Sequence, residues 1–471
     1  MSNDAASSVA VIGAGITGLT TAFRLRQNNV AVTVHEKSDR VGGAIRSIRH
    51  EGFLAEFGPN TILETSPKIT ALVRDAGLQA RRLDPDPGAS NRYLARARQA
   101  LAMPLSPLGM MTTPLFSFRA KLGVLREPFV PPRRDGVEET VAQFVERRLG
   151  REFLDRAVDA LVGGIYAGDP AKLSISQALP KLHALEQRYG SLIMGQIFGA
   201  GERKRRGEIA KDRAPKFSFD EGLQVLPDTL AGHLGDAVRY GAEVIRLERG
   251  ASGWTVVFRQ DGRLHQSRHA SVVFAGTAAA LATLEIVDAT GTTPRRLETS
   301  VFSTVRYPPV ASVVLGFRRE DVRHPLDGFG ILVPRQEGFR ILGTLFSSSL
   351  FPNRAPRGYT VLTTYVGGER APELADRPEE DLVEMTCADL RELLGVRGEP
   401  VFRHCVLYPH AIPQYNLGYG RIRKRLTELE ATAPGLFFAG HYRDGVSLGD
   451  SIISGVNVSE RIEGFLRIPT R

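Results

Sequence analysis

Apolar residues gather in short unbroken runs near both ends of the chain and alternate with polar ones through its middle. Near the start, "VAVI" (residues 9–12) is followed by glycines, then by "ITGLTTAFRLRQ" with apolar positions at helical spacing, then by "VAVTVHE". The pattern predicts a buried strand, a tight turn, a helix and a second strand ending at Glu36. Near the other end, "GLFFAGHYRDGVSLGDSIISGVNVSERI" (435–462) predicts an apolar strand, a glycine-rich turn and a helix. Between them, residues 216–247 read as a helix followed by a strand. "GWTVVFRQDGRLHQSRHASVVFAG" alternates around "QDG", a hairpin signature that ends in another buried strand. Further strands are expected at "ASVVLGF", "ILVP" and "YTVLTTYV". The fold class predicted is α/β, α+β overall: a discontinuous Rossmann-type nucleotide-binding domain, assembled from separated pieces, with a sheet-containing domain inserted between them.

The turn after the first strand carries the chemistry. Gly13, Gly15 and Gly18 have the G-x-G-x-x-G spacing, with Ala14, Ile16 and Thr17 between them. The first glycine permits the tight turn, the second lets a pyrophosphate approach the backbone, and the third packs helix against strand. Glu36 stands where a ribose diol is accepted, with Lys37 beside it. A lone glycine motif is weak, but here strand, turn, helix, strand and terminal acid agree. Directly afterwards come Arg40, a second glycine pair ending in Gly43, Ala44, and then Gly58, Pro59, Asn60 and Thr61. A second phosphate-facing loop and a third close approach indicate a long, permanently held cofactor, FAD. The last helix directs its amino terminus, near Val446, Ser447 and Leu448, at the flavin pyrimidine, where its dipole favours the reduced form. Val244 falls where such folds contact adenine.

Composition narrows the rest. The chain has 471 residues, 42% of them hydrophobic, enough for two or three structural units. A formal charge of +9 favours anionic partners such as phosphates, carboxylates or an acidic membrane surface. The basic residues are scattered and form no nucleic-acid module, so no nucleic-acid partner is expected. The densest basic run, "GERKRRGEIAKDR" (201–213), reads as a solvated loop or helix face. Cys387 and Cys405 have no partners at metal-ligand spacing, and no metal site is expected. No segment reaches the roughly 18 to 20 apolar residues that cross a bilayer, and the amino terminus reads as a strand without a signal peptide. "GGIYAGDP" (163–170) alone reads as a turn.

The chain resembles the oxygen-dependent protoporphyrinogen oxidase family, within the amine oxidase and phytoene desaturase superfamily. The superfamily is carried by "GAGITGL", "RVGGAIRS" and "FFAG". The narrower family is carried by "GIYAGDPAKLSI", "LGTLFSSSLFPNRAP", "YVGGER", "IPQYNLG" and "YRDGVSLGDSI", in the expected order over nearly the whole chain. The resemblance implies six-electron oxidation of protoporphyrinogen IX, with dioxygen reduced to hydrogen peroxide. It implies substrate contacts at Arg92 (a propionate), Phe329 and Leu332 (the ring faces), Tyr365 (a cavity wall) and Gly168 (clearance for the macrocycle). No catalytic side chain is obligatory. Relatives carry tryptophan shortly before "IPQY", whereas this chain has Tyr408, so the flavin-facing contact there is expected to differ.

The family also includes coproporphyrinogen oxidases, which keeps that substrate as the alternative. Other flavin amine oxidases or desaturases, and a non-catalytic FAD-dependent tetrapyrrole carrier, are the further alternatives. The expected division is cofactor domain 1–85, 206–275 and 426–471, substrate domain 86–100 and 276–425, and a helical domain 101–205. The leucine-, methionine- and phenylalanine-rich 101–132 segment of that helical domain makes peripheral membrane docking an expectation, weighed against buried helical packing. The implied setting is cytoplasmic or at the inner face of the cell membrane, with hand-off to ferrochelatase and a homodimer among the expected associations.

Overall fold

Three distant stretches of chain supply one parallel sheet. In the computed structural model, which describes residues 8–104, 106–205 and 214–467, five strands lie in the order Val238–Arg239, Val32–His35, Val9–Ile12, Ser271–Phe274 and Leu436–Phe438. Every neighbouring pair is parallel. The three strands from Val9, Ser271 and Leu436 are buried along their whole length, which explains their unbroken apolar runs: a parallel sheet is covered on both faces. Strand order reverses direction around Val9–Ile12, and the crevice beyond such a switch point is where this architecture binds ligands. Helices Ile16–Gln27 and Leu448–Leu466 cross closely on this sheet. A Cβ on Gly455 would lie 2.6 Å from the Thr17 carbonyl oxygen, so the contact requires glycine.

A second, seven-stranded sheet runs Phe402–Tyr408, Val310–Arg318, Tyr359–Gly367, Ile341–Leu345, Gly328–Leu332, Asn91–Arg96, Gln99–Ala102. It is antiparallel except where Gly328–Leu332 meets Asn91–Arg96. One face, with Val313, Leu315, Phe317, Ile331 and Val366, is sealed by the helix Glu379–Leu394. The opposite face is therefore the one left for function. A third sheet contains the predicted hairpin, with Asp261 and Gly262 both at positive φ in its two-residue turn.

Residues 107–205 fold mainly as helices joined by irregular stretches such as 130–140. Their interior is fixed by Arg148, fully buried, which pairs with Glu127 at 3.0 Å and Glu186 at 2.5 Å and also donates to the carbonyls of Val130 and Gly190. Removing one partner would strand a buried charge, a loss typically of about 3–5 kcal/mol.

Two expectations change. Residues 216–247 hold two short strands besides the helix Val225–Leu234 and the strand from Glu243: Lys216–Phe219 and Val238–Arg239. The "GGIYAGDP" stretch is not simply a turn, because Gly163 and Gly164 lie inside the helix Asp159–Tyr166 and the chain turns only at Ala167, φ +47°. The basic run begins on the helix Leu192–Arg205, and its remainder, 206–213, lies outside the described residues.

Candidate active site

The first glycine turn is built as its spacing predicts. Gly13 has φ +101°, and a Cβ on Gly18 would fall 2.0 Å from the Gly13 carbonyl oxygen, so the turn and the helix–strand contact each demand glycine. A Cβ on Gly15, by contrast, would meet nothing within 4 Å. Gly15 is also the N-cap of Ile16–Gln27 and has no side chain to satisfy the first-turn amides. Open space in front of uncapped helical N–H groups is what a pyrophosphate needs.

Glu36 is buried at the end of the adjacent strand. Its Oε2 accepts from Ala14 N at 2.7 Å and its Oε1 from Ser38 N at 2.9 Å, leaving lone pairs on both oxygens for a ribose diol. Lys37 is exposed beside it. The chain entering Val244 passes the same point, since Gly241 N donates to Ser38 O and Ala242 N to Glu36 O. The second glycine loop lies against the first: Gly42 bridges Gly15, and a Cβ on Gly43 would sit 3.4 Å from Gly15 Cα. Arg40 holds this loop by donating to the carbonyls of Val41, Ile45 and Gly43. At the far side Ser447 caps the last helix through Asp450 N in a reciprocal capping box. Thr17 Oγ1 ties that helix to the first by donating to Ser451 O. These residues fit FAD: open glycine backbone, a ribose acid and a helix amino terminus, with the turn Gly58–Thr61 alongside.

The free face of the seven-stranded sheet brings the sequence-predicted substrate residues together. Leu94, Leu332, Gly343, Tyr365, Ser312 and Val406 form one row across it by register. Between Gly328 and Ile331 the strand spends three residues against two of its partner, Asn91 to Tyr93. The bulge centres on Gly330, φ +154°, and sets Phe329 and Leu332 on the same face as Arg92 and Leu94. Without the extra residue, strand alternation would send Phe329 and Leu332 to opposite faces. The helix Asp159–Tyr166 lies over this face. A Cβ on Gly164 would be 2.4 Å from Leu332 Cδ2, and Ala167 packs with Val310, Leu342 and the half-buried Tyr365.

Two tyrosines fasten the face to the cofactor loops. Tyr365 Oη donates to Gly58 O at 2.8 Å and accepts from Asn60 Nδ2 at 2.8 Å; Tyr408 Oη donates to Ala44 O at 3.1 Å. Burial raises the Tyr365 phenol above its ordinary value and pushes Tyr408 up to about 12, so both remain neutral donors at neutral pH. Tyr408 thus contacts the loop that carries Gly43 and Ala44. Around Gly168 the neighbour is protein: a Cβ there would lie 2.5 Å from Gln414 Oε1 and 3.1 Å from Tyr166 Cβ.

Sequence reasoning passed over Gln414, which is buried and donates to the carbonyls of Tyr166 and Ile412. It also passed over His441, whose burial lowers its pKa to about 4 and keeps it neutral beside Tyr307. Gln414 lies within the "IPQYNLG" stretch and His441 directly before "YRDGVSLGDSI", but neither stretch by itself shows which side chain points inward. Among the described residues no cluster of histidine, cysteine or acidic side chains is arranged to hold a metal ion.

Residues 16–463 match the family model for flavin-containing amine oxidoreductases. The protein named protoporphyrinogen oxidase 2, chloroplastic/mitochondrial, of Arabidopsis thaliana is 33% identical over 97% of this chain and 94% of its own length. The protein named coproporphyrinogen III oxidase of Bacillus subtilis (strain 168) is 28% identical over 96% and 97%. A crystal structure from Exiguobacterium sp. 255-15 shares the fold with a TM-score of 0.78 at 22% identity, covering 98% of this chain and 99% of that one. The chain belongs to the flavin-containing amine oxidoreductases and, within them, to the protoporphyrinogen and coproporphyrinogen oxidase family.

Proposed function

We propose that this flavoenzyme oxidises protoporphyrinogen IX to protoporphyrin IX on the sheet face that carries Arg92, Phe329, Leu332 and Tyr365. The observation that carries the reading is the bulge at Gly330, which gathers a cation and two apolar side chains on the face fastened to the glycine loops through Tyr365 and Tyr408. FAD, which the Gly13–Gly18 turn, Glu36 and the Gly42–Gly43 loop would hold, would supply two-electron acceptance for each of three successive oxidations, with dioxygen as the final acceptor.

The side chains have positional tasks. Arg92 offers a fork-shaped guanidinium suited to a carboxylate. Phe329 and Leu332 supply apolar contact for a flat macrocycle, and Tyr365 closes the side nearest Gly58. Each two-electron step also releases a proton; no side chain is assigned as its general base, the neutral phenols of Tyr365 and Tyr408 being poorly suited to be one, and the proton leaves to bulk water. The gain comes from holding the reacting carbon in place and excluding water. Coproporphyrinogen III is the second reading, favoured by the identity shared with the Bacillus protein over nearly the full chain.

The helical unit exposes Leu108, Phe118, Leu122, Leu125, Phe129, Ile197 and Phe198. No helix among the described residues is long and apolar enough to cross a membrane. Peripheral contact of this surface with a lipid bilayer belongs to the same proposal. The reaction is tested by oxygen uptake during turnover: three dioxygen consumed and three peroxide formed per porphyrin are expected. One dioxygen consumed per porphyrinogen lost, with no porphyrin formed, would limit the enzyme to a single two-electron step and overturn the reading.

A further inference from the structure

We propose that Glu369 and Arg370, consecutive residues on the turn that leaves the substrate sheet, are positioning residues: they clamp both ends of the helix Asp159–Tyr166 and so fix how Leu332 and Tyr365 meet the macrocycle. The proposal rests on the porphyrinogen reading above and names residues outside the substrate contacts on which ring placement depends.

The turn follows the strand Tyr359–Gly367 directly. Gly367 and Gly368, at φ +103° and +69°, let it fold back toward the helix, and a Cβ on Gly368 would lie 2.5 Å from Ala167 O. Arg370 takes the helix's first turn. Its Nη2 donates to Asp159 Oδ2 at 3.1 Å and its Nη1 to Val333 O at 2.9 Å, so one guanidinium joins the helix to the chain just beyond Leu332. Arg335 N donates to the same Asp159 oxygen at 2.7 Å. Glu369 takes the other end. Its N–H donates to Ala167 O at 2.7 Å, and its carboxylate accepts from Lys172 Nζ at 2.7 Å and from Arg306 Nε. Between the clamped ends the helix bears on the sheet through its glycines. A Cβ on Gly163 would lie 3.2 Å from Arg370 Nη2, and one on Gly164 would lie 2.4 Å from Leu332 Cδ2. The glycine pair of "GGIYAGDP" thus leaves room for the clamp at one position and for a ring-contacting side chain at the next.

The chemistry of the clamp favours placement over stability. The side chains of Asp159, Glu369 and Arg370 are almost wholly buried. Desolvating such charges offsets most of their attraction, and apolar side chains of similar volume would hold the helix comparably well; what the paired charges add is a single permitted arrangement. A helix free to slide would carry Gly164 and Ala167 with it, shifting the surface against which Leu332 and Tyr365 pack. Ring placement in turn decides the meso carbon offered for oxidation, and small misplacements of a reacting atom cost much of the rate.

The test uses the FAD-loaded full chain, with bound flavin, melting temperature and reduction by dithionite measured for every variant. Protoporphyrin binding is followed by fluorescence quenching, and the Michaelis constant for protoporphyrinogen by oxygen uptake. Arg370→Met and Asp159→Asn should each raise the dissociation and Michaelis constants about tenfold. The double variant should be no more than about twofold worse than either, because the two side chains act as one pair. Glu369→Gln, which keeps the backbone bond to Ala167, should raise both constants about threefold, and wild-type values there remove Glu369 from the clamp. Arg340→Met is the control: it breaks the 2.9 Å ion pair with Asp389 on the face sealed by Glu379–Leu394, and should lower the melting temperature with both constants unchanged. Wild-type constants in Arg370→Met, a control that raises them equally, or a double variant about a hundredfold weaker than wild type overturns the clamp. Should Arg370→Met fail to hold FAD, Asp159→Asn is measured in its place, and wild-type constants there overturn it. A wild-type protein that neither binds protoporphyrin nor oxidises protoporphyrinogen instead removes the porphyrinogen reading itself.

Discussion

Gly168 shows how a single residue's requirement can be visible before its cause. Its bareness was legible in the sequence, and the family resemblance assigned it to clearance for the macrocycle. The structure adds a neighbour from far along the chain: the Gln414 side chain, whose amide is pinned by two carbonyls and whose Oε1 would stand 2.5 Å from a new Cβ. Because Gln414 is anchored, Gly168→Ala should lower the melting temperature and Gly168→Val should lower it further, by an overpacking cost of about 1–3 kcal/mol. Thermal unfolding of both holoenzymes checks this. An alanine variant with wild-type melting behaviour and an altered Michaelis constant would return the residue to clearance alone. No reading of local spacing finds Gln414, since only the tertiary fold brings it to Gly168.

At the scale of elements, the decisive contacts are the two tyrosine hydroxyls that tie neighbouring parts of the substrate sheet to the carbonyls of Gly58 and Ala44. Each neutral hydrogen bond is worth about 1 kcal/mol, so Tyr365→Phe and Tyr408→Phe should each slow substrate-dependent flavin reduction roughly fivefold. Flavin content and Michaelis constant should stay within about twofold. Rapid-mixing kinetics on both variants measure this, and two variants reduced at the wild-type rate would reduce the tyrosines to packing.

The long strands behind this face, such as Val310–Arg318 and Tyr359–Gly367, were legible because alternation or continuous apolarity persists over nine residues. The strands Lys216–Phe219 and Val238–Arg239 were not: four and two residues carry too little period, and they exist by pairing with neighbours supplied by the rest of the chain. The bulge at Gly330 was hidden for the same reason, since a register shift belongs to two strands at once.

For the molecule as a whole, two sheets divide the labour. The parallel sheet gathers both ends of the chain and its middle around the proposed FAD cradle, and the glycine turn with the acid that ends the second strand was readable because that motif is local in sequence. The antiparallel sheet turns one face to the helix Glu379–Leu394 and the other to the cradle, and this choice of face was not readable from any segment alone. On the proposed function, electrons pass from a porphyrinogen on that second face to FAD in the first unit. Anaerobic rapid mixing of the purified holoenzyme with protoporphyrinogen tests it most directly, with coproporphyrinogen run in parallel. Loss of the oxidised-flavin absorbance is expected within the first turnover, one two-electron oxidation per FAD, with recovery of the flavin band and appearance of porphyrin once oxygen is admitted. A flavin that stays oxidised with both porphyrinogens while dithionite bleaches it readily would contradict the claim.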